Sequence, residues 1–169
     1  MRYLFKCSIL VIFLLLLSSC SFDISPKATK EQQEQVKNQV MQLLEKEYNQ
    51  PLKLLDFKYE YEFHNTYSFL YIIFRKYGNY HFRIQAVDNP VIIMDFDFND
   101  GLATKESIKP LIDSFKKNQL NDLYCTGLSS IYFKQKEKTV DQILLKKAEK
   151  YCDRRNQTWY QKWKRLNKK

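Results

Sequence analysis

Asp95, Asp97 and Asn99 stand at the first, third and fifth places of a run that reaches Glu106 at the twelfth. Oxygen ligands at that spacing can wrap a calcium ion. The same chemistry requires glycine at the sixth place for its sharp turn, but Asp100 stands there and Gly101 comes one residue late. Asp95 and Asp97 also alternate with Met94, Phe96 and Phe98. A strand with one wet side, ending in an Asn99-Asp100-Gly101 turn, accounts for these residues without metal and is the preferred reading. Asp95, Asp97, Asn99 and Glu106 remain the candidate ligands. The 2 histidines, His64 and His81, could act as acid and base in a small hydrolase. No nucleophile or carboxylate pair accompanies them at a telling spacing, and no GxSxG, HExxH, Walker or CxxC pattern occurs. They read as exposed strand residues, so no catalytic residue is assigned and no cofactor is implied.

A different chemistry is spelled by the C-terminal segment. Residues 153–169 interleave Arg154, Arg155, Lys162, Lys164 and Arg165 with Trp159 and Trp163. On a helix Trp159, Trp163 and Leu166 share a face with cations around them, a layout suited to anionic head groups or to an acidic partner surface. From Phe133 to Lys169 there are 13 basic and 4 acidic residues, whereas Cys20 to Tyr132 carries 13 basic and 15 acidic. The basicity of the chain therefore belongs to its last segment.

The first segment is an export signal. Arg2 and Lys6 precede the apolar run Ser8 to Leu17, which is too short for an ordinary spanning helix. It ends Leu17-Ser18-Ser19-Cys20, which resembles the lipobox of bacterial lipoproteins over residues 1–20. The resemblance implies removal of residues 1–19, diacylglycerol on the Cys20 thiol, and a further acyl chain such as palmitate on the new amino terminus. Two or three chains exceed what stable membrane anchoring needs. Ser21 stands where that family's inner-membrane retention signal has Asp, so outer-membrane sorting is favoured in a two-membrane bacterium. Nucleic acid, which would suit the same basic segment, is not expected as a partner of an exported protein. Export also changes the meaning of the cysteines. With Cys7 discarded and Cys20 acylated, Cys125 and Cys152 are an even pair in an oxidising compartment, and a disulfide is predicted.

These residues must be positioned by one domain, residues 29–169, behind a polar tether at residues 20–28. With 44% hydrophobic residues, 3 Gly and 4 Pro, the chain is neither disordered nor collagenous. Thr29 with Gln32 spells a capping box, and Val36, Val40, Leu43, Leu44 and Tyr48 recur at helical spacing. Leu55 to Phe63 then alternate, Tyr67 to Lys76 are largely apolar, Tyr80 to Ala86 alternate again, and Val91 to Phe98 follow. Breaks at residues 64–66, 77–79 and 88–90 predict four strands in an antiparallel meander. Ile108, Leu111, Ile112 and Phe115 mark a second helix. Residues 118–138 show no clear pattern. Thr139 or Asp141 opens a long basic helix, about 139–167, with Ile143, Leu144, Ala148, Tyr151 and Cys152 on one face. The class is α+β: an N-terminal helix, the meander and C-terminal helices. That element order is similar to cystatin-like domains, a likeness that rests on no residue motif and implies no function.

The expectation is a lipid-anchored cell-envelope protein that binds another macromolecule without catalysing a reaction. One concrete form is an immunity-type lipoprotein that neutralises a toxin in the envelope, its partner being an acidic protein. Alternatives are a structural lipoprotein contacting anionic lipid through the basic helix, and a small periplasmic hydrolase.

Overall fold

A computed structural model of the chain describes residues 20–67, 72–101, 107–134, 141–155 and 165. The protein is α+β. Helix α1 (Lys30–Tyr48) begins at Thr29, whose Oγ1 accepts the Gln32 N–H while the Gln32 side chain accepts the Thr29 N–H. It stops at Asn49, which takes the left-handed backbone (φ 48°) that asparagine tolerates. Its apolar stripe, Val36, Val40, Leu44 and Tyr48, is buried. The spacing of these residues puts them on one side of the helix, facing the sheet.

Three strands run antiparallel: β2 (Leu52–Tyr67), β3 (Ile72–Ala86) and β4 (Ile93–Asn99), with β3 in the middle. A short strand, β1 (Cys20–Ile24), pairs parallel with the first part of β3. The meander of four strands is thereby corrected to three. The break expected at residues 77–79 is absent, because Tyr77, Gly78 and Asn79 pair with Glu62, Tyr61 and Glu60 within one long β3. Gly78 is needed there for space, not for a turn, and its φ is not positive. The Tyr59 ring lies where a Cβ would be, with Cε2 and Oη at 2.2 Å from that position. Within the tether expected at residues 20–28, residues 20–24 form β1. Ser21 to Ile24 pair with Ile73 to Lys76, and the Ser25 N–H continues the ladder to the Lys76 carbonyl at 2.8 Å. An extended segment beside an unfilled strand edge satisfies its backbone there.

β1 and β4 occupy the same flank of β3 in succession, and Asp100 closes the seam between them. Its Oδ1 accepts the Gly78 N–H at 2.6 Å, its own N–H donates to the Gly78 carbonyl at 2.8 Å, and its Oδ2 accepts the Tyr59 hydroxyl at 2.6 Å. Tyr59 in turn accepts the Ala28 N–H at 2.9 Å, which ties the approach to α1 into the sheet. Asp100 is buried. Burial pushes its carboxyl above the ordinary aspartate range, against the hydrogen bonds from Tyr59 and Gly78. The folded state therefore holds this proton more tightly than the unfolded chain, and stability falls as pH rises upward from the ordinary range near about 4. Asp100→Asn should remove that part of the slope. Urea unfolding of both proteins between about pH 4 and 7 measures it, and parallel pH profiles would contradict it.

One face of the sheet is apolar. Tyr80, Phe82 and Ile84 of β3 and Met94 of β4 are fully buried, and Phe82 stacks on Phe96 at 5.3 Å while Phe115 stacks on Phe96 at 5.7 Å. Phe115 comes from α2 (Lys109–Asn118), where Pro110 sits in the first turn and costs no hydrogen bond. Helix α3 (Leu123–Lys134) fills the stretch that showed no sequence pattern. Leu123, Tyr124, Cys125, Gly127, Leu128 and Ser129 are all buried, so the buried arc runs round most of the helix and no narrow stripe exists to read. Gly127 lets it approach β4, since a Cβ there would lie 2.7 Å from the Ile93 carbonyl oxygen. Helix α4 (Gln142–Arg155) is capped by Asp141, whose Oδ1 accepts the Ile143 N–H at 2.8 Å. Its buried face is Leu145, Ala148 and Cys152, whereas Ile143, expected on that face, is 80% exposed. The helix is followed only to Arg155; the rest of the expected span lies outside the described residues, apart from Arg165 in a helical position. The other sheet face carries Lys58, Glu60, Arg83, Asp95 and Asp97, all exposed, and no described helix covers it. Among the described residues no helix is long and apolar enough to cross a membrane.

Candidate binding site

Three tyrosines meet where the end of α1, the β3–β4 turn, the start of α3 and the face of α4 converge. Tyr124 is 5.4 Å from Tyr48 and 4.8 Å from Tyr151, between ring centroids. Each was placed by a different element for a local reason. Tyr48 is the last apolar position of α1; its hydroxyl donates to the Leu120 carbonyl and accepts the Tyr124 N–H at 3.1 Å. Tyr124 and Tyr151 each precede a cysteine, and Cys125 and Cys152 are joined in a disulfide that clamps α3 to α4 with Cα atoms 5.7 Å apart. Arg155 braces the wall from outside, stacking 5.6 Å from the Tyr48 ring and 5.5 Å from the Tyr151 ring while pairing with Glu47.

These walls enclose a pocket of about 350 Å³. Asn89, 1% exposed, contributes to its lining. The amide of Asn89 donates to the Leu144 carbonyl at 2.9 Å, which fixes its orientation and leaves Oδ1 buried without a hydrogen-bond partner among the described residues. An uncompensated buried acceptor costs about 1–3 kcal/mol, a cost that a donor on a ligand could recover. Lys147, Lys150 and Arg154 line the pocket as well, spaced three and four residues apart so that they share one face of α4. All three are exposed, as is Asp88 on the β3–β4 turn.

Burial raises the hydroxyls of all three tyrosines. In Tyr48 the Tyr124 backbone N–H works against it, in Tyr124 the side chains of Asn89 and Gln50, and in Tyr151 Arg155. At neutral pH they are neutral rings and hydroxyls. The arrangement can desolvate an apolar stem, hold an anionic end against three cations, and take an N–H or O–H donor on Asn89.

The residues singled out in the sequence are distributed as follows. Arg154 lies on the pocket rim, Arg155 is taken up by Glu47 and the tyrosine rings, and Arg165 is exposed. Trp159, Lys162, Trp163 and Lys164 lie outside the described residues. Asp95 and Asp97 are brought to His81, with Nδ1 2.7 Å from Asp97 and Nε2 3.6 Å from Asp95. Asn99 instead accepts the Gly101 N–H at 3.3 Å, and Glu106 lies outside the described residues. Among the described residues no group of three or more His, Cys, Asp or Glu side chains is arranged to hold a metal ion. His64 stacks on Tyr77 at 3.8 Å. It sits six positions along β2 from Lys58, the partner of His81, or about 20 Å at 3.3 Å per residue, so the two histidines do not form a pair. Asn89, Tyr124, Lys147 and Lys150 belong to no site motif in the sequence, and Tyr48 and Tyr151 read there only as apolar positions of their helices. The available signal was a tyrosine before each cysteine of the predicted bridge. No protein-family model, curated protein or solved structure matches the chain.

Proposed function

We propose that this chain is an exported, lipid-anchored protein of the bacterial cell envelope that binds an acidic protein partner through the tyrosine-lined pocket and its cationic rim. The observation that carries the reading is the row Lys147, Lys150 and Arg154 over a pocket with a buried, unpaired acceptor. The lipobox-like Leu17-Ser18-Ser19-Cys20 supports export and anchoring, and an immunity-type role against an envelope toxin is the concrete form that this combination suits. Exposed rim charges are worth about 0.2–1 kcal/mol each. Their principal contribution is to steer and select, whereas a side chain desolvated among the tyrosines would supply the anchoring energy.

Reversing the rim with Lys147→Glu, Lys150→Glu and Arg154→Glu should lower capture of the partner from native envelope extract by at least about tenfold. Far-UV circular dichroism should stay unchanged, because all three side chains are exposed. The reading predicts one acidic protein, released by salt from the wild-type domain and absent from the reversed one. Equal capture by both would sink it, and retention of anionic lipid alone would favour a structural envelope component.

A further inference from the structure

The sheet contains the residue that the lipid anchor would modify, and this fixes more than the anchor. Cys20 pairs with Ile72 at the start of β3, and the ladder continues to Ile24 beside Lys76. Beyond it the Tyr61 hydroxyl donates to the Ser25 carbonyl at 2.7 Å, and the Ala28 N–H is held by Tyr59. Between Cys20 and the first turn of α1, the chain is thus hydrogen-bonded into the domain at successive points. No slack remains for the domain to hang from.

β3 runs parallel to β1 and away from Cys20. Ala86, fourteen positions beyond Ile72, pairs with Leu52 just after the end of α1 and donates its N–H to the Ile92 carbonyl at 3.1 Å. That is the pole where Asn89 and Tyr48 line the pocket. Fourteen steps at about 3.3 Å place it about 46 Å from the anchored end. The anchored end has its own suitable surface. Ile24 and Phe63, 61% and 60% exposed, both pair with Lys76, whose Nζ lies 4.5 Å over the Phe63 ring. These apolar and aromatic groups beside a lysine lie on one face of the sheet four positions from the Cys20 rung, and they suit a bilayer interface near the anchored end.

We infer that the pocket is held at the membrane-distal pole, so that its occupant is a protein met some 45 Å out from the bilayer and not the head groups of the bilayer that holds the anchor. This rests on acylation of Cys20. A tilt of 45° would still leave roughly 30 Å, several times the Debye length of about 8 Å at physiological salt, so those head groups exert little pull on the rim cations.

The full lipidated protein, reconstituted in phosphatidylethanolamine vesicles carrying an energy-transfer acceptor on their head groups, tests this. A donor dye is attached either at Ile143→Cys, on α4 at the far pole, or at Glu62→Cys, beside Tyr77 near the anchored end. Transfer from position 143 should be at least about fivefold weaker than from position 62, and should not rise when phosphatidylglycerol replaces half of the lipid. Equal transfer from the two positions would overturn the inference, as would a rise at position 143 with anionic lipid. Mass spectrometry of the N-terminal peptide separates the premise from the geometry. A diacylglycerol adduct lost in Cys20→Ser, with equal transfer, overturns the orientation alone, whereas a missing adduct overturns both.

Discussion

Alanine at Gly78 is expected to destabilise the domain by about 3 kcal/mol, although alanine in a strand ordinarily gains up to about 1 kcal/mol over glycine. The sign is decided by Tyr59, whose ring atoms lie 2.2 Å from the position of the added Cβ. β3 is paired on both flanks at this point and cannot retreat, so the ring must leave. Its hydroxyl then abandons both the Ala28 N–H and the Asp100 carboxylate, and Asp100 is buried with one donor fewer. Urea unfolding of four proteins, wild type, Gly78→Ala, Tyr59→Ala and the double variant, isolates the effect. In the Tyr59→Ala background the methyl group finds open space, and Gly78→Ala should be neutral or slightly stabilising. An equal cost in both backgrounds would mean that the glycine serves some purpose other than making room for Tyr59.

The same residue shows why part of the fold was legible in the sequence and part was not. A Tyr-Gly-Asn triplet between two alternating runs signals a turn when only local propensity is considered, and it predicted four strands. Propensity does not see the neighbouring strand, and here a tyrosine nineteen positions earlier supplies the side chain that the glycine lacks. Period-2 alternation was legible where one face is wet: Met94, Phe96 and Phe98 are buried while Asp95 and Asp97 are exposed, and that alternation by itself sets the two carboxylates two residues apart. The stripe of α1 could be read for the same reason, since one side of that helix faces water. Helix α3 could not, because burial on several sides erases the period. The segment after Cys20 looked like a tether because it is short and polar, and its pairing depends on an empty flank of β3 that no local pattern announces. The candidate pocket was the least legible feature. Its tyrosines come from three helices, Asn89 comes from what reads as an ordinary Asp-Asn-Pro turn, and the convergence depends on a disulfide whose partners could be paired from an export signal and an even cysteine count but not placed beside a cavity.

Removing that disulfide should have an effect of similar size and reach the site as well. The bond closes a loop across 27 positions, for which the loss of unfolded-state entropy is worth about 3.5 kcal/mol. In a domain whose total stability is of order 5–15 kcal/mol, the Cys125→Ala, Cys152→Ala variant should unfold at a clearly lower urea midpoint while keeping its secondary structure in water. Cys125 and Cys152 are both almost wholly buried and each follows a wall tyrosine, so the bond sets the separation of Tyr124 and Tyr151 directly. Without it, their 4.8 Å ring contact and the packing of α3 on α4 must hold the wall unaided. The near-ultraviolet circular dichroism of the tyrosines should weaken, and partner affinity should fall by about tenfold, or some 1.4 kcal/mol, under conditions where the variant is still folded. Arg155 is the internal control. It braces Tyr48 and Tyr151 through Glu47 and not through the sulfurs, so Arg155→Ala should loosen the same wall while leaving the midpoint insensitive to the loop-closure term. If reduction of the wild-type protein shifted neither the midpoint nor the tyrosine signal, the bond would be a passenger, and the pocket would owe its shape to helix packing alone.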